Sequence, residues 1–298
     1  MRSRLIIGLM GEVLTAREQH WLNSSPPAGI MLFSRNASSP DQVRGLIDQA
    51  RAAAGSQLWA AIDEEGGRVF RLPWSPFDSR PSAAEWGERY ANNPAQTLIE
   101  LRHDAQRCGE ELATLGFTHN CAPVLDLRHS EGHGVVGNRS FGSSATSVAD
   151  LGMAVMDGLL QAGISAVGKH FPGHGLAECD SHIATPRVYI DESSLMTESS
   201  PFTTLINHGI EHIMTAHVRY PQQDREIATL SPYWINRLRS THNFSGTIWS
   251  DDLSMGGAGE SLATALQAAA SAGCDRLLVC QPEDLQAIIN DEVECCCT

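Results

Sequence analysis

One stretch of the chain, residues 168–182, concentrates side chains that can bind a ligand and transfer protons. Lys169-His170 follow a short apolar run, a glycine- and proline-rich segment comes next, and Asp180-Ser181-His182 end the stretch. Glycine and proline interrupt regular structure and let the backbone approach a ligand closely. Rigid scaffolds commonly present their chemistry on loops, so the stretch predicts a functional site rather than a surface loop with incidental histidines.

Asp180 and His182 lie two residues apart, and in an extended loop their side chains project the same way. The carboxylate can then hold one ring nitrogen, raise the basicity of the imidazole and leave the other nitrogen for proton transfer. This spacing predicts an acid/base pair. The alternative is an Asx turn beside a solvated histidine.

Asp251-Asp252 end another apolar run. Successive strand side chains point to opposite faces, so only one of the two carboxylates can face a pocket. The other is expected to accept hydrogen bonds from backbone N–H groups of the next turn. The alternation of side chains alone does not show which carboxylate faces the pocket and which accepts the backbone hydrogen bonds.

Further polar side chains follow other apolar runs, namely Asp63, Arg71, Arg139 and the Lys169-His170 pair. A carboxylate that accepts from two hydroxyls, together with arginine and lysine donors, would form a pocket for a carbohydrate. Any single one of these side chains could instead form a surface ion pair, which is common and weak.

The elements that must position these residues alternate regularly along the chain. Apolar runs of four to six residues predict strands at 5–9, 29–33, 58–62, 117–122, 164–167, 211–215, 247–250 and 276–279. Helical periodicity predicts helices at 15–22, 41–53, 94–115, 148–162, 194–207, 231–238, 261–272 and 282–290. Residues 69–93 and 127–146 are expected to be irregular excursions.

Eight such units predict an α/β fold, a single-domain (β/α)8 TIM barrel over residues 1–290, followed by a Cys-rich tail at 291–298. In this fold the site lies at the C-terminal ends of the strands. That rule places the chemically active side chains on one rim: Arg35, Asp63, Arg71, Asp126, Arg139, Lys169, His170, Asp180, His182, His217 and Asp251.

Composition excludes several classes of function. The formal net charge is −14, so an affinity for nucleic acid or anionic membranes is not expected. The apolar run at 5–10 is too short for a signal peptide, and no run reaches the roughly 20 residues that span a bilayer. The eight cysteines have no CxxC or disulfide-framework spacing, which favours free thiols and a cytoplasmic protein.

Taken together, these motifs resemble family 3 glycoside hydrolases of the bacterial β-N-acetylhexosaminidase type. The resemblance is carried by Lys169-His170-Phe171-Pro172-Gly173-His174-Gly175 with Asp180-Ser181-His182, and by Ser250-Asp251-Asp252-Leu253-Ser254-Met255. Matches at Ile62-Asp63-Glu64-Glu65-Gly66-Gly67-Arg68-Val69, Asn138-Arg139-Ser140-Phe141-Gly142 and Met214-Thr215-Ala216-His217-Val218 extend it over nearly the whole chain.

The resemblance implies removal of terminal, non-reducing β-linked N-acetylglucosamine with retention, through a covalent glycosyl-enzyme. It implies Asp251 as nucleophile and His182 as acid/base assisted by Asp180. The implied sugar ligands are Asp63, Arg71, Arg139, Lys169 and His170. It further implies a cytoplasmic monomer without metal or organic cofactor that acts on small amino-sugar fragments of peptidoglycan, for cell-wall recycling. Glu64 departs from the pattern, where glutamine is usual, and the Cys-rich tail has no counterpart.

Three other functions remain possible from the sequence. The first is a phosphorylase on the same fold, because a histidine acid/base repels phosphate less than a carboxylate does. The second is a metal-dependent hydrolase, with ligands among His170, His174, His182 and His217. The third is a sugar-binding barrel without catalytic activity.

Overall fold

A computed structural model describes residues 2–130, 132, 134–179, 181, 184–259 and 261–290. Eight parallel strands hydrogen-bond in sequence order, and the eighth pairs with the first, so the barrel is closed. The strands are β1 Leu5–Gly8, β2 Gly29–Leu32, β3 Trp59–Ile62, β4 His119–Asn120, β5 Ser165–Phe171, β6 His212–Thr215, β7 Thr247–Asp252 and β8 Arg276–Val279. The predicted single-domain (β/α)8 barrel is therefore confirmed. The predicted tail at 291–298 lies outside the described residues.

The described residues form nine α-helices around the barrel, and their amphipathic faces pack on the strands. They are α1 Ala16–Ser24, α2 Pro40–Ala54, α3 Ala83–Asn92, α4 Pro94–Leu115, α5 Ala145–Gln161, α6 Glu192–Asn207, α7 Pro232–Ser240, α8 Leu262–Ala272 and α9 Pro282–Ile289. The prediction of an irregular segment throughout 69–93 is wrong, because α3 lies within it. Ser82 and Glu85 form a capping box that starts this helix, a signal hidden among proline and tryptophan residues.

Two strands extend further than their apolar runs predicted, and both extensions carry polar side chains into the barrel mouth. β5 continues through Lys169 and His170 to Phe171, and β7 continues through Asp251 to Asp252. These residues are thus held by the barrel itself and not by the loops that follow it. Among the described residues, no helix is both long and apolar enough to cross a membrane.

The barrel interior is closed at its N-terminal end by four rings from four strands. The rings of Trp59 and His119 lie 4.4 Å apart, and those of His119 and His212 lie 4.8 Å apart. Trp249 donates its indole N–H to His212, and the Arg276 guanidinium lies 4.4 Å above the Trp59 ring. Burial, followed by the neighbouring His212 and Arg276, lowers the pKa of His119 to about 3, and burial with a smaller contribution from Arg276 lowers that of His212 to about 4.

This histidine pair is expected to make the fold sensitive to acid. Between pH 6.5 and about 4 both histidines are protonated in the unfolded chain and neutral in the folded chain, so the free energy of unfolding falls as the pH falls. The slope reaches about 1.4 kcal/mol per pH unit for each histidine. The double variant His119→Gln, His212→Gln should flatten this slope in urea unfolding between pH 4 and 7. The exposed His103→Gln should leave it unchanged, and an equal slope in the double variant would contradict the assignment.

Candidate active site

A cavity of about 550 Å³ opens at the C-terminal ends of the strands. Six of the eight residues predicted for the site line it: Asp63, Arg71, Arg139, Lys169, His170 and Asp251. The other two, Asp180 and His182, lie outside the described residues. The structure therefore brings together on one surface side chains from β5 and β7 and from the loops after β3 and β4.

Lys169 is the central cation of this cavity. Its Nζ lies 2.7 Å from Asp63 Oδ1 and 2.6 Å from Glu65 Oε1, and its side chain is only 3% exposed. Burial alone would lower the pKa of Lys169, but the two carboxylates outweigh it and hold that pKa above its ordinary value. The ammonium is thus a permanent positive charge at the end of β5.

Two arginines complete the network from opposite sides. Arg71 Nη2 donates to Asp63 Oδ2 at 3.0 Å, and Arg139 makes two parallel hydrogen bonds of 2.8 Å to Glu65. Burial alone would raise the pKa of both carboxyl groups. The neighbouring cations instead hold the pKa of Asp63 well below its usual range and lower that of Glu65 to about 2. Both carboxylates are therefore ionised acceptors at any physiological pH.

Glu65 is absent from the predicted site residues, although the sequence contained a signal for it. Side chains alternate between faces after a strand, so Asp63 and Glu65 share one side and Glu64 takes the other. Glu64 is indeed buried away from the cavity, 1% exposed, and its Oε1 accepts from the backbone N–H of Arg71 and Leu72. Burial raises the pKa of Glu64 to about 7.

His170 is oriented by a fully buried carboxylate, Asp126. Burial alone would raise the pKa of Asp126, but His170 outweighs it and holds that pKa below its ordinary value. Ionised Asp126 accepts from His170 Nδ1 through Oδ2 at 2.7 Å, and its Oδ1 accepts from the backbone N–H groups of His170 and His174. The proton on Nδ1 leaves Nε2 as the ring nitrogen available to a ligand, an orientation common for functional histidines. Asp126, predicted on the rim, thus positions His170.

The two adjacent carboxylates on β7 have separate environments, as parity requires. Asp252 Oδ1 accepts from the backbone N–H groups of Ser254 and Cys280, both at 3.0 Å. Asp251 accepts from the backbone N–H of Asp252 through Oδ1, and its Oδ2 accepts no hydrogen bond from any residue that the structure describes. Asp251 is therefore the carboxylate with an oxygen to offer a ligand.

The same environments separate the charges of the two carboxylates. Burial raises the pKa of Asp252. Burial would also raise the pKa of Asp251, but His217, His170 and the backbone N–H of Asp252 outweigh it and lower that pKa. Asp251 thus combines the ionised state with a free oxygen in the cavity.

The loop after β5 is held at Ser181, the residue that precedes the predicted acid/base in the sequence. His174 Nε2 lies 3.0 Å from Ser181 Oγ, and the carbonyl of Ser181 accepts from the backbone N–H of Gly257 at 2.8 Å. A side chain at position 257 would put its Cβ 2.3 Å from that carbonyl oxygen. The chain at Ser181, between Asp180 and His182, is therefore packed against the loop that follows β7.

Other rim residues are engaged in structural contacts. Arg35 donates to the carbonyls of Leu9 and Cys280, and His217 contacts Thr229 Oγ1 and the carbonyl of Asp252. Within the described part of the chain, no three His, Cys, Asp or Glu side chains are arranged to hold a metal ion.

The arrangement can bind a neutral polyol and attack it. Ionised carboxylates accept hydroxyl protons, fixed cations donate to hydroxyl or amide oxygens, and Asp251 presents an unpaired carboxylate oxygen to the same space. A displacement at carbon by a carboxylate is the first half of double-displacement glycoside hydrolysis.

Comparison with known proteins gives consistent matches. The family model described as "Glycosyl hydrolase family 3 N terminal domain" matches residues 7–294. The chain is 39% identical over 294 residues to a protein of Thioalkalivibrio sulfidiphilus (strain HL-EbGR7) named "Beta-hexosaminidase", covering 97% of this chain and 84% of that protein.

Solved structures of similar proteins agree with these sequence matches. NagZ from Neisseria gonorrhoeae in complex with N-trifluoroacetyl-D-glucosamine has a TM-score of 0.90 and 33% identity, over 98% of this chain and 85% of that one. A glycoside hydrolase family 3 β-N-acetylglucosaminidase from Paenibacillus sp. str. FPU-7 has a TM-score of 0.86 and 31% identity, over 97% of this chain and 56% of that one.

Proposed function

Since the chain belongs to glycosyl hydrolase family 3, we propose that this glycoside hydrolase removes terminal, non-reducing β-linked N-acetylglucosamine with retention of configuration. One observation carries the proposal: an ionised carboxylate, Asp251, whose Oδ2 accepts no hydrogen bond from the described residues, shares a cavity with the charged network around Lys169. The names of the relatives support N-acetylhexosamine as the sugar.

The proposed first step forms a bond between Asp251 and the anomeric carbon while the bond from that carbon to the glycosidic oxygen breaks. His182, assisted by Asp180, donates the proton that the leaving oxygen needs. Lys169 donates to sugar oxygens and His170 meets the sugar through Nε2, while Asp63 accepts from sugar hydroxyls with Arg71 and Arg139 beside it.

The proposed second step releases the sugar. Water attacks the anomeric carbon, His182 takes its proton, and the bond to Asp251 breaks with return of the carboxylate. Two inversions give net retention. A histidine with an ordinary pKa near 6.5 suits a group that must serve as acid and then as base near neutral pH.

We further propose that the substrates are small fragments of peptidoglycan, N-acetylglucosaminyl-anhydro-N-acetylmuramic acid and its peptide-bearing forms, and that a monomer acts on them in the cytoplasm. A cavity of about 550 Å³ suits a disaccharide. Four buried cysteines among the described residues, Cys108, Cys121, Cys274 and Cys280, form no disulfide, which favours a reducing compartment.

The decisive assay compares 4-nitrophenyl N-acetyl-β-D-glucosaminide with the matched β-glucoside, and follows the sugar product by proton NMR. The proposal expects a preference for the N-acetyl substrate and the β-anomer as the first product. The α-anomer as the first product would overturn retention. N-acetylglucosamine 1-phosphate as the main product in phosphate buffer would replace hydrolysis with phosphorolysis.

A further inference from the structure

A buried carboxyl group behind the cavity, Glu64, takes no part in the proposed chemistry. Its Oε1 accepts two backbone N–H groups, from Arg71 at 2.7 Å and from Leu72 at 2.8 Å. Its Oε2 is buried and accepts no hydrogen bond from any residue in the described part of the chain. A buried polar atom without a partner is costly, so the group calls for an explanation beyond packing.

The two N–H groups that Glu64 binds belong to the segment that carries Arg71. This segment follows the turn at Gly66 and Gly67 and lies beyond the end of β3. Its backbone pairs with the turn at Val69, and two residues further on the N–H groups of Arg71 and Leu72 donate to the Glu64 side chain and not to a strand. Arg71 lines the cavity and reaches back to Asp63 Oδ2 at 3.0 Å. Asp63 in turn binds Lys169. The position of the Arg71 backbone therefore decides whether its guanidinium can meet Asp63 and a ligand together.

Glu64 is itself fixed from three directions. Its backbone N–H donates to Asn120 Oδ1 at 2.9 Å, and its carbonyl accepts from Asn120 Nδ2 at 3.0 Å, which ties it to β4. The same carbonyl accepts from Arg80 Nη1 at 3.1 Å, and Arg80 is paired with Asp104 on α4. The carboxyl group is thus a rigid support between the barrel wall and the Arg71 segment.

We propose that Glu64 is a positioning residue for ligand binding, because its side chain holds the backbone of Arg71 in the position from which the guanidinium reaches Asp63 and the sugar. The inference deepens the proposed function and rests on it for the identity of the sugar. Glu64 acts through Arg71 and makes no contact with the cavity.

The test uses Glu64→Met, which keeps the length of the side chain and removes the acceptor, and Glu64→Gln, which keeps a carbonyl oxygen for the two N–H groups. A cavity of about 20 Å³ borders Glu64 and gives the amide introduced by Glu64→Gln room. Glu18→Met is the matched control. Glu18 is equally buried and also accepts two backbone N–H groups, from Met10 and Thr15, on the α1 side of the barrel.

With 4-nitrophenyl N-acetyl-β-D-glucosaminide, Glu64→Met is expected to raise KM at least tenfold and to change kcat less than threefold, because it weakens binding before the chemical step. Glu64→Gln should stay within twofold of the wild type in both constants, and so should Glu18→Met. An unchanged KM in Glu64→Met would overturn the proposal. So would an equal rise in Glu18→Met, since general destabilisation would then explain it.

Hydrogen exchange separates this inference from the proposed function. The amides of Arg71 and Leu72 should exchange at least tenfold faster in Glu64→Met than in the wild type, and at the wild-type rate in Glu64→Gln. This readout needs no turnover, so it stands even if the wild type does not hydrolyse N-acetylglucosaminides. Unchanged exchange at both amides in Glu64→Met would refute the positioning role.

Discussion

Asp251→Ala is expected to lower hydrolysis of N-acetyl-β-D-glucosaminides by on the order of 10⁴–10⁶-fold, the scale of losing a catalytic nucleophile. Without the carboxylate no covalent intermediate can form. The cavity would retain its network of Asp63, Glu65 and Lys169, so binding of the sugar should persist. Steady-state kinetics give the loss, and calorimetric titration with N-acetylglucosamine measures the binding.

The neighbouring carboxylate supplies the matched control. Asp252 Oδ1 accepts two backbone N–H groups, and burial raises its pKa, so an asparagine carbonyl can replace it. Asp252→Asn should therefore keep turnover within about tenfold of the wild type, whereas Asp251→Asn should be nearly inactive, because an amide is a poor nucleophile. Similar losses in the two variants would contradict the assignment of the nucleophile to Asp251.

Azide tests the direction of attack in the alanine variant. The anion can occupy the space left by the Asp251 carboxylate and attack the anomeric carbon from that face. Rescue should yield the α-glycosyl azide, with inverted configuration. A β-glycosyl azide from Asp251→Ala would place the nucleophile elsewhere.

The barrel could be predicted from the sequence because its evidence is local and repeated. Eight short apolar runs separated by helical periodicity leave few closed arrangements, and polar residues at the strand ends then share one rim. Even the choice within Asp63-Glu64-Glu65 follows from parity, since Asp63 and Glu65 point to the cavity and Glu64 points away. The alternation that separates Asp251 from Asp252 therefore also assigns Glu65 to the cavity.

The sequence does not indicate which residues far apart in the chain form ion pairs or hydrogen bonds with each other. The pairing of Lys169 with Asp63 and Glu65 spans more than 100 positions, and nothing in the local pattern indicates it. The same holds for Asp126, which reads as one rim residue among many until its hydrogen bonds to His170 and His174 are seen. Helix α3 is hard to predict for a different reason, because its capping box lies within a segment whose composition favours loops.

His182→Ala is expected to lower kcat/KM by roughly 10²–10⁴-fold for substrates with a poor leaving group, the usual contribution of a general acid/base. His182 lies outside the described residues, but its neighbour Ser181 does not. Ser181 is bound by His174 and by Gly257. Gly257 lies in the loop after β7, the strand that carries Asp251. These contacts place Ser181 against the loop that follows the nucleophile's strand.

The loss should depend on the leaving group, because 4-nitrophenolate departs without a proton whereas a sugar alkoxide does not. Hydrolysis of the disaccharide should therefore fall further than that of the nitrophenyl substrate. Gly257→Ala provides an independent perturbation, since the new Cβ would meet the Ser181 carbonyl at 2.3 Å and displace the loop without removing the histidine. It should show the same leaving-group dependence at a smaller loss.

Azide again identifies the step, with the opposite stereochemistry. In His182→Ala the intermediate on Asp251 still forms from the nitrophenyl substrate, and azide, which needs no base, can attack it. The product should be the β-glycosyl azide, with retained configuration, where Asp251→Ala gives the α-anomer. Azide attacks the substrate directly in Asp251→Ala and attacks the covalent intermediate in His182→Ala, so the two opposite anomers together assign both roles. An α-azide or no azide product from His182→Ala would exclude this residue as the acid/base.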